Sequence, residues 1–261
     1  MLLVIDAGNS NIVIGVFEGE ELLHSWRIST HRSNRTGDEF AALLHQLLGL
    51  EGIPVASLDG AVVCSVVPTL NDDIKAMCLR HLSLQPLFID SREQFFIPLN
   101  YYPPGDVGAD RIVNAVAALE LYGSPAIVVD FGTATTFDVV SAKGEYEGGL
   151  IFPGIGISSE ALFSRTAKLP RVEFRKPGKI VGQSTEESIQ SGLYYGYVNL
   201  IGGILGQLKA EVPGAVIIST GGFAGMIGTE NPGLFDHIEE DLTVKGLKIC
   251  YDRFKQNELG R

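Results

Sequence analysis

Long apolar runs are missing from this chain of 261 residues. None approaches the roughly 20 residues that a membrane-spanning helix needs, so no membrane partner is expected. Positive charge is also scarce. Against 31 Asp and Glu stand 20 Lys and Arg, a formal net charge of -11. A nucleic-acid binder needs a basic surface to replace phosphate counterions, so nucleic acid is not an expected partner either. The three cysteines, Cys64, Cys78 and Cys250, form no Cys-x-x-Cys pair and are expected to be free thiols in a reducing compartment. The five histidines, His24, His31, His45, His81 and His237, include no pair at i+2 to i+5 spacing, and a zinc site is not expected. Gly178-Lys179 is followed by Ile180 where a Walker A loop requires Ser or Thr. Gly154-Ile155-Gly156 follows Pro153, where no strand is predicted, and lacks the third glycine of a dinucleotide fingerprint. No Gly-x-Ser-x-Gly elbow occurs. No basic segment precedes the first apolar run, which Asp6 interrupts, so no signal peptide is read and a cytoplasmic location is expected.

What remains is ordinary globular composition, 45% hydrophobic and 20% charged, with length enough for a sizeable core. Strands are predicted over 2–5, 11–17, 21–28, 60–66, 86–89, 126–129, 135–140, 215–219 and 247–250, several rich in Val and Ile as in buried sheets. Glu18-Gly19-Glu20 and Ala142-Lys143-Gly144 read as hairpin turns. Apolar residues at helical spacing predict helices over 38–48, with Asp38 as cap, and over 69–82, 110–122 and about 185–208. Ser184 and Glu187 have capping-box spacing. The last helix carries Gly192, Gly196, Gly202, Gly203 and Gly206. Each costs about 1 kcal/mol against alanine, and a closely packed second backbone, internal or from another subunit, would compensate.

The chain repeats itself. Leu3-Val4-Ile5-Asp6-Ala7-Gly8-Asn9-Ser10-Asn11 is echoed by Ile127-Val128-Val129-Asp130-Phe131-Gly132-Thr133-Ala134-Thr135. Ala61–Ser65 has a counterpart in Ala215–Ser219, and Pro86–Asp90 a looser one in Leu247–Asp252. Two related α/β domains are expected, 1–123 and 124–261, with a ligand site in a cleft between them. On local propensity alone an Asp-x-Gly loop is a turn. Two at equivalent places favour a phosphate site. Glycine lets backbone approach the ligand, successive N–H groups form an anion nest, and the aspartate can hold a bridging cation.

Asp6-Ala7-Gly8-Asn9-Ser10, Asp130-Phe131-Gly132-Thr133-Ala134-Thr135 and Thr220-Gly221-Gly222 resemble the two phosphate motifs and the adenosine motif of the superfamily of sugar kinases, acetate kinase, actin and heat-shock ATPases. Within it the chain resembles the type III pantothenate kinases. The further matches are Tyr101-x-x-Pro104-x-x-Val107-Gly108-Ala109-Asp110-Arg111, Gly148-Gly149-x-Ile151-x-Pro153-Gly154, Glu160–Phe163 with Leu169-Pro170, and Thr185 before Gln190-Ser191-Gly192. Ser10 stands where threonine is common, keeping the hydroxyl.

The resemblance implies an α/β fold of duplicated actin-like (ribonuclease H-like) domains, with a nucleotide cleft between them. It implies ATP-dependent phosphorylation of pantothenate, the first step of coenzyme A synthesis. Asp110 aligns with the general base. Its place at a helix start is expected to favour the ionised form. Tyr101, Gly108, Ala109, Asp110, Arg111 and Thr185 would contact pantothenate, although Tyr102 competes with Tyr101 for that role. Asp6, Ala7, Gly8, Asn9, Ser10, Asn11, Ile12, Val13 and Thr133 would contact ATP. Asp6 would face Mg²⁺, directly or through water, and Asp130 would hold a monovalent cation, K⁺ or NH₄⁺. A homodimer is implied. The competing readings are another small-molecule kinase of the superfamily and an ATP-binding regulator that transfers no phosphate.

Overall fold

The computed structural model describes residues 1–30, 35–92 and 96–259, so His31 lies outside the described residues. The chain forms two compact units, Met1–Tyr122 with Asp241–Arg261, and Gly123–Glu240.

The first unit opens as an antiparallel meander, β1 (Leu2–Ala7), β2 (Asn11–Glu18) and β3 (Glu21–Ser29). The predicted Gly19 turn links β2 to β3, its φ of +58° suiting glycine. After α1 (Gly37–Leu50), β4 (Gly60–Ser65) returns parallel to β1. Helix α2 (Pro68–Met77) leads to the short β5 (Leu87–Phe88), parallel to β4, and α3 (Ala109–Tyr122) follows. The sheet order is β3-β2-β1-β4-β5. Alternation sends Leu3, Ile5 and Ala7 of β1 into a core with Phe40, Leu44 and Leu48 of α1 and Leu70, Ile74 and Met77 of α2. The cap of α1 is Thr36 rather than Asp38. The Thr36 hydroxyl accepts from the Glu39 N–H at 3.4 Å, and the Glu39 carboxylate accepts from the Thr36 N–H at 2.8 Å. That reciprocal pair satisfies two otherwise orphaned donors.

The second unit repeats the plan. The meander β6 (Ala126–Phe131), β7 (Ala134–Val140) and β8 (Tyr146–Pro153) is followed by α4 (Ile155–Arg165) and α5 (Thr185–Glu211). Then β9 (Val216–Gly221) returns parallel to β6, α6 (Ala224–Glu230) follows, and β10 (His237–Ile238) pairs parallel with β9. The order β10-β9-β6-β7-β8 matches the first sheet strand for strand. Ile127, Val129 and Phe131 face a core with α4 and α5.

The expected strand at 247–250 is instead part of α7 (Leu242–Leu259). The counterpart of β5 is therefore β10, not Leu247–Asp252. Helix α7 also departs from the expected boundary, because it belongs to the first unit. The cause is close packing. A Cβ at Gly246 would lie 2.4 Å from the Val113 carbonyl oxygen of α3, and Val244 lies against Gly15 of β2. The Thr243 hydroxyl donates to Asn114 Oδ1 of α3 at 2.8 Å. Helices α3 and α7 thus cover the sheet face that α1 and α2 leave open.

Candidate active site

In β1, Leu3, Ile5 and Ala7 face the α1 and α2 layer, so Asp6 projects from the opposite face, on the side of α3. Its partner in β4 is Cys64. Burial pushes the Cys64 thiol well above its usual range, and the nearby charges of Asp6 and Asp110 push it further. The two carboxylates therefore act on one buried sulfur, which brings the first Asp-x-Gly loop and the start of α3 into one neighbourhood.

The first loop is tightly closed. The Gly8 N–H donates to the Asn11 carbonyl at 3.0 Å. Asn9, Ser10 and Asn11 are exposed, while Ile12 is buried and Val13 partly so. Thr30, just beyond β3, pins the loop twice: its hydroxyl donates to the Gly8 carbonyl at 2.6 Å, and its N–H to the Ser10 carbonyl at 3.0 Å. Thr30 escaped the sequence analysis because nothing local marks it. The register of β3 on β2 delivers it.

The second loop is one residue shorter. Ala7 pairs with Ile12 across the first loop, and Phe131 with Thr135 across the second. Asn11 is therefore equivalent to Ala134, one place from the expected match with Thr135. The Gly132 N–H closes this loop on the Ala134 carbonyl at 3.0 Å. Two glycines press on it from outside. A Cβ at Gly154 would sit 2.2 Å from the Thr133 carbonyl oxygen, and the Gly154 N–H donates to that oxygen at 3.1 Å. A Cβ at Gly221 would sit 2.5 Å from Asp130 Oδ1, and its φ of +88° also demands glycine. Asp130, Thr133, the start of α4 and the Thr220-Gly221-Gly222 turn thus converge within the second unit.

Asp110 lies in the first turn of α3. The Arg111 N–H donates to its carboxylate at 2.8 Å. A Cβ at Gly108 would lie 2.4 Å from Asp110 Oδ1, so the carboxyl folds back over bare backbone. The residue is only partly exposed. Burial raises the Asp110 pKa above 3.8, and the Arg111 N–H and charge only partly oppose it. This differs from the sequence expectation. A helix start does favour the ionised carboxylate, but here desolvation outweighs it.

Arg111 is buried, at 8% exposure, and is not a surface arginine. Tyr101 is 36% exposed and Tyr102 93%, so Tyr101 is the one held against the protein. Thr185 begins α5 in the second unit and is exposed, and the cap before it is Ser184, which accepts from the Glu187 N–H at 3.1 Å. Asp110 and Thr185 therefore belong to different units. Gly108 and Ala109 form one edge of a cavity of about 920 Å³ in the first unit, at the carboxyl ends of β4 and β5. Open α/β sheets place ligands at such strand ends.

Among the described residues no group of three or more His, Cys, Asp or Glu could cage a metal.

The type III pantothenate kinase family model matches residues 2–207. The type III pantothenate kinase of Moorella thermoacetica is 48% identical over 97% of this chain and 99% of its own. Among solved structures, a Campylobacter jejuni chain assigned to the Baf family of transcriptional activators aligns over 98% of both chains, with a TM-score of 0.61 at 20% identity. The activator of 2-hydroxyisocaproyl-CoA dehydratase from Clostridium difficile, solved with bound ADPNP, aligns over 100% of this chain and 97% of its own, with a TM-score of 0.56 at 11% identity. Those structural likenesses establish the fold alone. The paired loops and the half-buried Asp110 sit on a chain whose sequence match is nearly complete, and by that match it belongs to the type III pantothenate kinase family.

Proposed function

We propose that the protein transfers the γ-phosphoryl group of ATP to the primary hydroxyl of pantothenate, giving 4'-phosphopantothenate and ADP. The observation that carries this reading, beside family membership, is Asp110. Its raised pKa makes it a better proton acceptor than an ordinary carboxylate, and it directly follows Gly108 and Ala109, which line a cavity at the strand ends. As the substrate oxygen bonds to the γ-phosphorus, the bond to the bridging oxygen of ADP breaks and the hydroxyl proton passes to Asp110. The transition state is loose, so positioning and charge neutralisation matter more than early proton removal. Arg111, Tyr101, Gly108 and Ala109 position pantothenate, and the family resemblance gives Thr185 a contact with the substrate as well. Asp6 to Val13 and Thr133 contact ATP, with Thr30, Gly154 and Gly221 keeping the loops in shape. A Mg²⁺ ion at Asp6 and a K⁺ or NH₄⁺ ion at Asp130 would supply positive charge for the phosphates.

Incubation with ATP, Mg²⁺ and K⁺ should yield phosphorylated pantothenate by mass. Release of ADP without that product would overturn the reading and favour the ATP-binding regulator. Equal rates in sodium-only buffer would remove the monovalent ion from Asp130.

A homodimer forms part of the same reading. In α5, Gly192, Gly196, Gly203 and Gly206 are exposed, and a Cβ at any of them meets nothing within 4 Å of its own chain. Internal packing therefore does not account for these glycines. Nearby, β8 and α4 expose Ile151 at 68% and Phe163 at 41%. A second copy would cover both. Sedimentation as a 28.1 kDa species at assay concentrations would remove the dimer. The three free, buried cysteines suit a cytoplasmic enzyme.

A further inference from the structure

Helix α2 divides its residues cleanly. Leu70, Ile74 and Met77 enter the core, while Pro68, Asn71, Asp72 and Lys75 form the opposite stripe and line the cavity beside Gly108. Within that stripe Asn71 Oδ1 is buried and has no hydrogen-bond partner among the described residues. A buried carbonyl oxygen without a donor is costly, and the usual explanation is a partner supplied from outside. The wall around it is rich in acceptors. Asp72 and Asp106 also line it, and the Arg92 guanidinium is taken up by Asp90. Near Asn71 the carboxylates Asp72 and Asp106 favour donors over a carboxylate, while the Lys75 ammonium, one helical turn on, also lines the cavity.

We infer that Asn71 is a positioning residue for the phosphoryl acceptor, its Oδ1 accepting a hydrogen bond from the donor-rich pantoyl end of the substrate. This rests on the reading that the substrate is pantothenate. That end carries the reacting primary hydroxyl, a secondary hydroxyl and the amide N–H. The carboxylate lies at the other end, away from Asp72 and Asp106. Asn71 thereby orients the molecule with its primary hydroxyl toward Asp110.

Steady-state kinetics of Asn71→Leu test this. The KM for pantothenate should rise about tenfold, the value of one buried hydrogen bond, with kcat and the KM for ATP unchanged. Two analogues identify the donor: the ester, which lacks the amide N–H, and the 2-deoxy compound, which lacks the secondary hydroxyl. The unaltered protein should lose about tenfold in KM with one of them, and Asn71→Leu should show no further loss with that one. Thermal unfolding of unliganded Asn71→Leu should occur no lower than in the unaltered protein, because Oδ1 has no partner to lose. Asn71→Ala provides the same readout at smaller volume. An unchanged KM for pantothenate, or further loss with both analogues, would overturn the inference and leave the kinase reading intact. No turnover of pantothenate by the unaltered protein would overturn both.

Discussion

A carboxylate in the first turn of a helix is pulled two ways, and Asp110 shows which pull wins. The helix end and the Arg111 N–H favour its charge, but enclosure over Gly108 penalises that charge more. The native pKa therefore lies above the 3.8 of a free carboxyl. A native state that holds its proton more tightly loses stability as pH rises from 3.8 through the raised value, and the penalty is complete above it. Asp110→Asn removes the ionisable group. It should melt higher than the unaltered protein near neutral pH, with the difference fading as pH falls toward 3.8. Its kcat should drop by about 10² to 10⁴, the usual contribution of a general base, while ATP still binds. In the unaltered enzyme kcat should decline as pH falls through that same raised value. Equal melting curves at neutral pH would show that the carboxyl carries no desolvation penalty.

At the scale of elements, a glycine matters through what its missing side chain lets in. Gly154→Ala would drive a methyl group into the Thr133 carbonyl, where a Cβ has only 2.2 Å. Overpacking of this kind costs about 1–3 kcal/mol and should raise the KM for ATP. Gly156→Ala, two residues on and inside α4, meets nothing within 4 Å and should be neutral or stabilising. Similar ATP affinities for the two variants would remove the second loop from the nucleotide site. The first meander and the first two strands of the second were legible in the sequence as β-branched runs beside glycine turns, whereas β8, interrupted by Gly148 and Gly149, was not. The paired loops and the start of α3 were legible too. Helix α7 was not. Leu247-Lys248-Ile249-Cys250 is too short a run to show a helical period, and its helical form depends on Gly246 meeting the backbone of α3 from far along the chain. Thr30 and Asn71 were illegible for a related reason: one acts through strand register, the other through an atom whose lack of a partner only coordinates reveal.

At the scale of the whole molecule, the chain leaves the first unit after Tyr122 and re-enters it at Asp241. The first unit is thus built from both ends of the sequence, with α7 completing the layer that α3 begins. Residues 1–122 expressed alone lack the α7 half of that layer and should aggregate or remain unfolded, whereas 123–240 should give a cooperative thermal transition. Adding 241–261 to the first fragment should restore its structure by circular dichroism. A well-folded 1–122 fragment would mean that α7 is dispensable to the first unit. This arrangement also has a consequence in time. A ribosome delivers residues 1–122 first, yet they cannot finish covering the second face of their sheet until residues 241–259 emerge. The middle of the chain, synthesised later, is complete in itself and can fold before them. The unit begun first is finished last, and throughout that interval the β1 to β4 face awaiting α7 is an exposed apolar surface, the one a chaperone would have to shield.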